Sequence, residues 1–174
     1  MGLLTRTLRL PFIRGSGRPV FSLTTNGVEV VVLYDSGAVT PVWAKNERML
    51  KEAFPLVEKQ ERTCLLSGFG KGALTCAVYK IPEFSLGTGE NCYVVRNLPI
   101  ILSENPSIGC DMIFSATMFA HADVTIRQRE ERSITFIFDK EVYYSAPLWS
   151  REHLGITTWT QEEPDEIARS NRAE

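Results

Sequence analysis

Two runs of strand-forming residues flank an Asn-Gly dipeptide near the start of the chain. The runs at 20–25 and 28–34, VFSLTT and VEVVVLY, are rich in β-branched and aromatic residues. Asn26 and Gly27 both tolerate a positive φ, which a two-residue hairpin turn requires. The pattern therefore predicts an antiparallel hairpin whose second strand leads directly into Asp35.

Similar patterns predict strands along most of the remaining chain, with short helices and loops between them. Helix formers between Asn46 and Pro55 predict a helix over 46–54, and 111–119 is expected to be a second short helix. The segment 83–90 is expected to be a loop because it contains two glycines. Further strands are predicted at 64–67, 73–81, 91–95, 100–102, 123–128, 133–138 and 141–145.

Many strands without a regular strand–helix alternation predict an all-β domain rather than a doubly wound sheet. We expect this domain to span residues 19–149. Residues 1–18 are interpreted as an N-terminal arm, which lies on the surface or forms a first strand. From Ser150 onward the chain has six acidic and three basic residues. The segment 150–174 is therefore expected to be an acidic tail, either disordered or a short exposed helix.

The composition is that of one globular domain and argues against several classes of protein. Of the 174 residues, 44% are hydrophobic and 23% are charged. The 19 lysines and arginines are outnumbered by 21 acidic residues, whereas a general nucleic-acid binder normally has a basic surplus. No apolar run approaches the roughly twenty residues of a membrane span. We therefore expect neither nucleic acid nor a membrane as a partner.

The chain has four cysteines, Cys64, Cys76, Cys92 and Cys110. No two of them form a Cys-x-x-Cys pair and the chain has two histidines, so a structural zinc site is not expected. Two disulfides are conceivable, but buried thiols in a reducing compartment are favoured, because cysteine outside disulfides is commonly a core residue. This interpretation predicts a cytoplasmic protein.

An acidic residue follows a strongly apolar predicted strand. Residues 30–38 read VVVLYDSGA, which places Asp35 at a strand end, where burying an unpaired charge is costly. Asp-Ser-Gly is also common turn chemistry, so these three residues alone favour a turn. The wider context decides between a turn and a functional carboxylate.

The surrounding motifs resemble those of the retropepsins, the single-domain, retroviral-type aspartic proteases. LYDSGA at 33–38 resembles their active-site motif, hydrophobic-x-Asp-Thr/Ser-Gly-Ala/Ser. LLSGFGKGA at 65–73 is similar to their glycine-rich flap, a hairpin that closes over substrate. DMIFSATMF at 111–119 is similar to their second signature, two aliphatic residues and then Leu-Gly, although Phe114 and Ser115 stand at the usual Leu and Gly. The resemblance covers roughly residues 19–145.

The resemblance implies a closed β-barrel with a flap hairpin and one or two short helices. It also implies an aspartic endopeptidase in which two carboxylates share a proton and activate a water molecule between them. Since the chain has one Asp-Ser-Gly motif, the second catalytic Asp35 is expected from a second copy in a homodimer. The implied substrate is an extended peptide between flap and floor, and neither a metal nor an organic cofactor is expected.

The resemblance also assigns roles around Asp35. Ser36 hydrogen-bonds across the dimer axis, Gly37 lets backbone pass close to the carboxylate, and Ala38 completes the active-site loop. The residues expected to support this loop from below are Val32, Leu33 and Ile113. The expected flap and substrate-binding residues are Gly68, Phe69, Gly70, Lys71 and Gly72.

Several alternatives stay open. The glycine cluster is also compatible with a plain hairpin tip, whereas a phosphate-binding loop requires a following helix with a Lys-Ser/Thr pair and is not favoured. Ser115 and the acidic tail motivate a catalytically inactive retropepsin-fold module for peptide binding or assembly. A third hypothesis is an unrelated β-barrel in which Asp35 caps a turn. Four apolar residues are interpreted as core rather than substrate pocket: Met112, Ile113, Met118 and Phe119.

Overall fold

The computed structural model describes residues 5–38, 42–66, 74–104, 109–119, 121–139 and 144–145. These residues form mainly strands, with one α-helix and one short 3-10 helix, and neither helix is long and apolar enough to cross a membrane. In chain order the elements are β1 Thr5–Pro11, β2 Val20–Thr25, β3 Val28–Asp35, β4 Val42–Ala44, α1 Glu47–Ala53, β5 Glu58–Leu66, β6 Leu74–Thr88, β7 Asn91–Leu102, β8 Met112–Ser115, the 3-10 helix Ala116–Phe119, β9 Ala122–Arg127, β10 Ser133–Asp139 and β11 Tyr144–Ser145.

The strands form two sheets. The larger sheet has the order β2-β3-β8-β4-β7-β6-β5, and β11 pairs in parallel with β7. The smaller sheet has the order β1-β10-β9 and is antiparallel throughout. The predicted predominance of strands is confirmed. Within the described residues neither sheet closes on itself, so the closed barrel stays a prediction, as do the domain limits at 19 and 149.

The predicted hairpin of β2 and β3 is confirmed. Residues at its turn also donate hydrogen bonds to the end of α1. Asn26 and Gly27 form the turn with φ values of 50° and 73°. The Thr25 hydroxyl donates to the Ala53 carbonyl oxygen at 3.1 Å, and the Asn26 side-chain amide donates to the Glu52 carbonyl oxygen at 3.0 Å. The hairpin therefore binds carbonyl groups that the end of a helix leaves without an intrahelical partner.

The helix predicted over 46–54 is confirmed as α1. Asn46 caps its start, because the side-chain oxygen accepts from the backbone N–H of Met49 at 3.0 Å. Pro55 follows shortly after the last helical residue and cannot continue the helical hydrogen bonds. The helix bounds thus follow from local sequence alone.

Two predictions of non-strand structure are wrong. The segment 83–90 is not a loop: β6 extends through it to Thr88, and the chain reverses only at Gly89 and Glu90. The first half of 111–119 is strand β8, and helix is limited to its second half. Since β8 lies between β3 and β4, pairing on both edges overrides the local helical preference. The strands predicted at 91–95 and 100–102 are one strand, β7.

Side chains of the larger sheet alternate between two apolar clusters on opposite faces. Along β3, Val30, Val32 and Tyr34 belong to the main core, whereas Val31 and Leu33 pack on the other side. We name the group on that side the second cluster. It consists of the buried residues Trp43, Cys64, Cys76, Val78, Ile101 and Cys110, with Val31, Leu33 and Ile113 packed against them.

Aromatic rings fill the main core. Phe114 of β8 contacts Phe21 of β2 and Phe84 of β6, with ring centroids 6.1 and 5.6 Å apart. Phe119 stacks on Phe136 of β10 with a centroid distance of 4.2 Å. This stack joins the 3-10 helix to the smaller sheet and adds to the stability gained from burying both rings, and residues of both sheets share the main core.

We expect Gly87→Ala to destabilise the fold strongly. Gly87 has a φ of 98°, and a Cβ there would lie 2.1 Å from the Asn91 carbonyl oxygen. Backbone strain and this overlap together should lower the free energy of unfolding by about 3 kcal/mol or more. Gly89→Ala is the matched control: Gly89 has a φ of 59° and open space around it, so the cost should be about 1 kcal/mol. Urea unfolding followed by tryptophan fluorescence measures both, and equal losses would contradict the overlap at Gly87.

Candidate active site

Asp35 is the last residue of β3 and lies beside the end of β8. The two strands run parallel, with Val32 opposite Met112 and Asp35 opposite Ser115. Strand alternation places Asp35 on the same face as Leu33, which is the face of the second cluster and not of the main core. Asp35 is half-buried there. The carboxylate is therefore close to apolar side chains without being enclosed by them.

The chain turns immediately after Asp35. The Gly37 N–H donates to Asp35 Oδ1 at 2.9 Å, and the Ala38 N–H donates to the Asp35 carbonyl oxygen at 3.3 Å. Ser36 and Gly37 are exposed, and Ala38 is half-buried. A Cβ on Gly37 would lie 3.3 Å from Asp35 Oδ1, so a larger residue would crowd the carboxylate. The turn that follows β3 therefore holds Asp35 Oδ1 through a backbone N–H.

Ser115 stands where the resemblance leads one to expect glycine, and it is fully buried. Its Oγ accepts from the Thr117 N–H at 3.2 Å, which caps the 3-10 helix that follows β8. The serine therefore has a local structural function at the junction of strand and helix. Ser115 also pairs with Asp35 at the end of the β3–β8 ladder.

Tyr34 precedes Asp35 and points to the opposite face of β3. Its ring lies in the main core, near Phe119 and Phe136, with centroid distances of 6.0 and 6.4 Å. Burial raises the pKa of the Tyr34 phenol, and the neighbouring Asp35 carboxylate raises it further. The phenol consequently stays protonated at neutral pH and adds no charge beside Asp35.

Leu33 and Ile113 are direct neighbours across the β3–β8 pair. Both are half-buried and pack against the second cluster on the side of Asp35. Val32, which is predicted to support the loop together with them, is instead fully buried in the main core, as are Met112 and Met118. Leu33 and Ile113 are therefore the apolar pair of β3 and β8 that shares a face with the carboxylate.

The predicted flap residues lie outside the described residues: Gly68, Phe69, Gly70, Lys71 and Gly72. The strands on either side of them, β5 and β6, pair antiparallel up to Leu66 opposite Leu74. A strand and not a helix follows the glycine cluster, which argues against a phosphate-binding loop.

None of the four cysteines is in a disulfide, and three of them are buried in the second cluster. Burial raises the pKa of Cys64 to about 12, and the nearby Cys76 contributes to the rise. Burial likewise raises the pKa of Cys76 and of Cys110. Over the described ranges, no group of three or more His, Cys, Asp or Glu side chains is placed to hold a metal ion.

Comparison with known proteins bears on the fold. No protein-family model matches the chain, and no curated protein does. Among solved structures, the crystal structure of a retropepsin-like aspartic protease from Rickettsia conorii matches with a TM-score of 0.50, covering 80% of this chain and 97% of that chain. The fold is retropepsin-like. Because the two sequences are 10% identical, the likeness is one of fold, and any catalytic function rests on the geometry around Asp35.

We expect Cys92 to react with a thiol reagent well before the other cysteines, because it is half-buried whereas the other three are buried. Thiol–disulfide exchange requires an accessible thiolate. At Cys64 the thiol is buried and its pKa is raised, so little accessible thiolate forms. Treating the native protein with an aromatic disulfide at about pH 8 should give one fast phase, and the remaining thiols should react on unfolding. Cys92→Ser should remove the fast phase. Rapid labelling of Cys64 or Cys76 in the native protein, mapped by mass spectrometry, would contradict the burial.

Proposed function

We propose that this chain is a homodimeric aspartic endopeptidase in which Asp35 is the catalytic residue. The observation that carries the proposal is the pairing of Asp35 with Ser115 where β3 and β8 end together. It puts a half-buried carboxylate on the face of the second cluster in a retropepsin-like fold.

In this proposal one chain supplies half of the active site. The sequence has a single Asp-Ser-Gly motif, and aspartic peptidase chemistry needs two carboxylates. A twofold axis beside the turn would bring the carboxylates of two copies together without any further residue type. The exposed Ser36 and Gly37 lie next to Asp35 and are the groups that would meet the second copy. Dimerisation is therefore part of the proposed mechanism.

The proposed reaction is hydrolysis of a peptide bond by water. Two carboxylates held close together share one proton, because both cannot ionise at that distance. The ionised carboxylate removes a proton from the water molecule while the water oxygen attacks the peptide carbonyl carbon. The protonated carboxyl group donates its proton to the carbonyl oxygen. The carbon–nitrogen bond then breaks as a proton is transferred to the leaving nitrogen. The pair supplies both acid and base, so the mechanism includes no metal or organic cofactor.

The proposed substrate is an extended peptide or protein segment with apolar side chains beside the cleaved bond. Leu33 and Ile113 each expose part of an apolar side chain on the face of Asp35. An extended segment that lies along this face would exchange main-chain hydrogen bonds with strand edges, while its side chains occupy apolar hollows. The glycine-rich segment at 68–72 is proposed to cover the bound peptide as a flap.

The cytoplasm is the location we propose for the protein. Three of the four cysteines are buried thiols, and none of the four is in a disulfide. Such thiols are typical of proteins in reducing compartments.

A second candidate function is a catalytically inactive module that binds peptides or directs assembly. The observation that favours it is the hydrogen bond from the Gly37 N–H to Asp35 Oδ1, since this bond gives Asp35 a purely structural use as the cap of its own turn. Such a module would still form a dimer and bind an extended peptide. It would not hydrolyse the peptide, so measurements of hydrolysis distinguish the two candidates.

We expect Asp35→Asn to abolish peptide hydrolysis and to leave the fold intact. The amide keeps the shape of the carboxylate and an oxygen for the Gly37 N–H, but it cannot accept a proton from water. On a mixed peptide library between about pH 4 and 7.5, the substitution should lower kcat/KM by at least about 1,000-fold. Asp123→Asn, on the exposed side of β9, is the matched control and should behave as wild type. Hydrolysis that persists in pure Asp35→Asn protein, or that a statine-type inhibitor does not block, would contradict the proposal.

Mixing experiments test whether two copies share one site. When Asp35→Asn protein is mixed with wild type and allowed to exchange partners, heterodimers contain one intact carboxylate and should be inactive. Activity at constant total protein should then fall with the square of the wild-type fraction. A linear decrease would show that each chain is active alone and would contradict the shared site.

A further inference from the structure

Asp111 binds three backbone groups at the point where β8 begins. Its Oδ2 accepts from the Val31 N–H at 2.9 Å, and its own N–H donates to the Val31 carbonyl oxygen at 2.8 Å. Its carbonyl oxygen accepts from the Lys45 N–H at 3.0 Å. Val31 is part of β3 and Lys45 directly follows β4, so Asp111 is joined to the strands on both sides of β8.

The Asp111 side chain takes the place of a backbone carbonyl at the start of the β3–β8 pair. The backbone pairing covers four residues, from Val32 opposite Met112 to Asp35 opposite Ser115. Val31 precedes this ladder, and both its N–H and its carbonyl oxygen are bound by Asp111. The end hydrogen bonds of a short ladder open readily. At this end of the ladder, the Asp111 side chain supplies an additional hydrogen bond.

We infer that Asp111 is a positioning residue, whose carboxylate holds β3 in register with β8 and thereby holds Asp35 at the position required for hydrolysis. The inference rests on the proposed peptidase function. Displacing a catalytic group by about 1 Å lowers the rate on the order of 100-fold. If β3 were free to shift at Val31, Asp35 at the end of the same strand would be displaced and hydrolysis would slow. Asp111 itself contacts neither substrate nor water in this mechanism.

The inference requires a hydrogen-bond acceptor at this position and not a charge. An asparagine side chain places an amide oxygen where Asp111 has Oδ2 and can still accept from the Val31 N–H. An alanine leaves that half-buried N–H without its acceptor. The backbone hydrogen bonds of residue 111 can still form, so only the side-chain interaction is removed. The pair Asp111→Asn and Asp111→Ala therefore separates the hydrogen bond from the charge.

The experiment measures steady-state hydrolysis by wild type, Asp111→Ala and Asp111→Asn, each at protein concentrations that saturate dimer formation. Thermal unfolding curves fix a temperature at which every variant is folded. Asp111→Ala should lower kcat by about 10- to 100-fold and change KM by less than about threefold, because the reacting groups are misplaced while the binding face is retained. Asp111→Asn should restore kcat to within about threefold of wild type. Asp123→Ala, an exposed aspartate on β9, is the matched control and should change neither constant.

Hydrogen exchange provides a readout that does not depend on activity. Exchange at the Val31 amide should be faster in Asp111→Ala than in wild type and unchanged in Asp111→Asn. Unimpaired kcat in folded Asp111→Ala would overturn the positioning role and leave the proposed function standing. Equal loss of kcat in both Asp111 variants, with Val31 exchange unchanged in Asp111→Asn, would overturn the requirement for an acceptor. An inactive wild type would overturn the proposed function and the positioning role with it.

Discussion

The short parallel ladder between β3 and β8 is the constraint on which the candidate site depends. Parallel neighbours cannot be joined by a tight turn, so the chain makes a long crossover between them. Here the crossover includes β4, α1, β5, β6 and β7, and β4 returns to pair with β8 on its other edge. Because β8 is paired on both edges, Asp35 lies beside Ser115 only once strands from most of the chain have assembled.

The register of β3 directs Asp35 away from the main core, to the face that it shares with Leu33. A slip by one residue would turn Asp35 into the main core and Tyr34 towards the second cluster. A carboxylate among the rings of Phe114 and Phe119 would have no partner for its charge, which is costly. The apolar residues that build the core therefore also direct the carboxylate to the face on which chemistry is proposed, so stability and site geometry depend on the same pairing.

The two oxygens of Asp35 serve different purposes in the proposed site. Oδ1 is held by the Gly37 N–H, which fixes the orientation of the carboxylate, while Oδ2 is the oxygen that we propose to meet water and a second carboxylate. The peptidase and the inactive binding module share this geometry. They differ in whether the carboxylate activates a water molecule. Since the chain carries one such motif, the proposed chemistry needs two copies, and the exposed turn at Ser36 is where we propose that a second copy completes the site.

Local sequence by itself determined the elements whose hydrogen-bond partners are near in the chain. The Asn26-Gly27 turn, the Asn46 cap of α1 and the turn after Asp35 were all predictable, since each is closed within a few residues. The tertiary structure alone decided that 112–115 is a strand, that the two faces of β3 belong to different clusters, and that Asp111 binds Val31. These features depend on partners many residues away, and a local pattern contains no information about which distant strand will supply the hydrogen bonds.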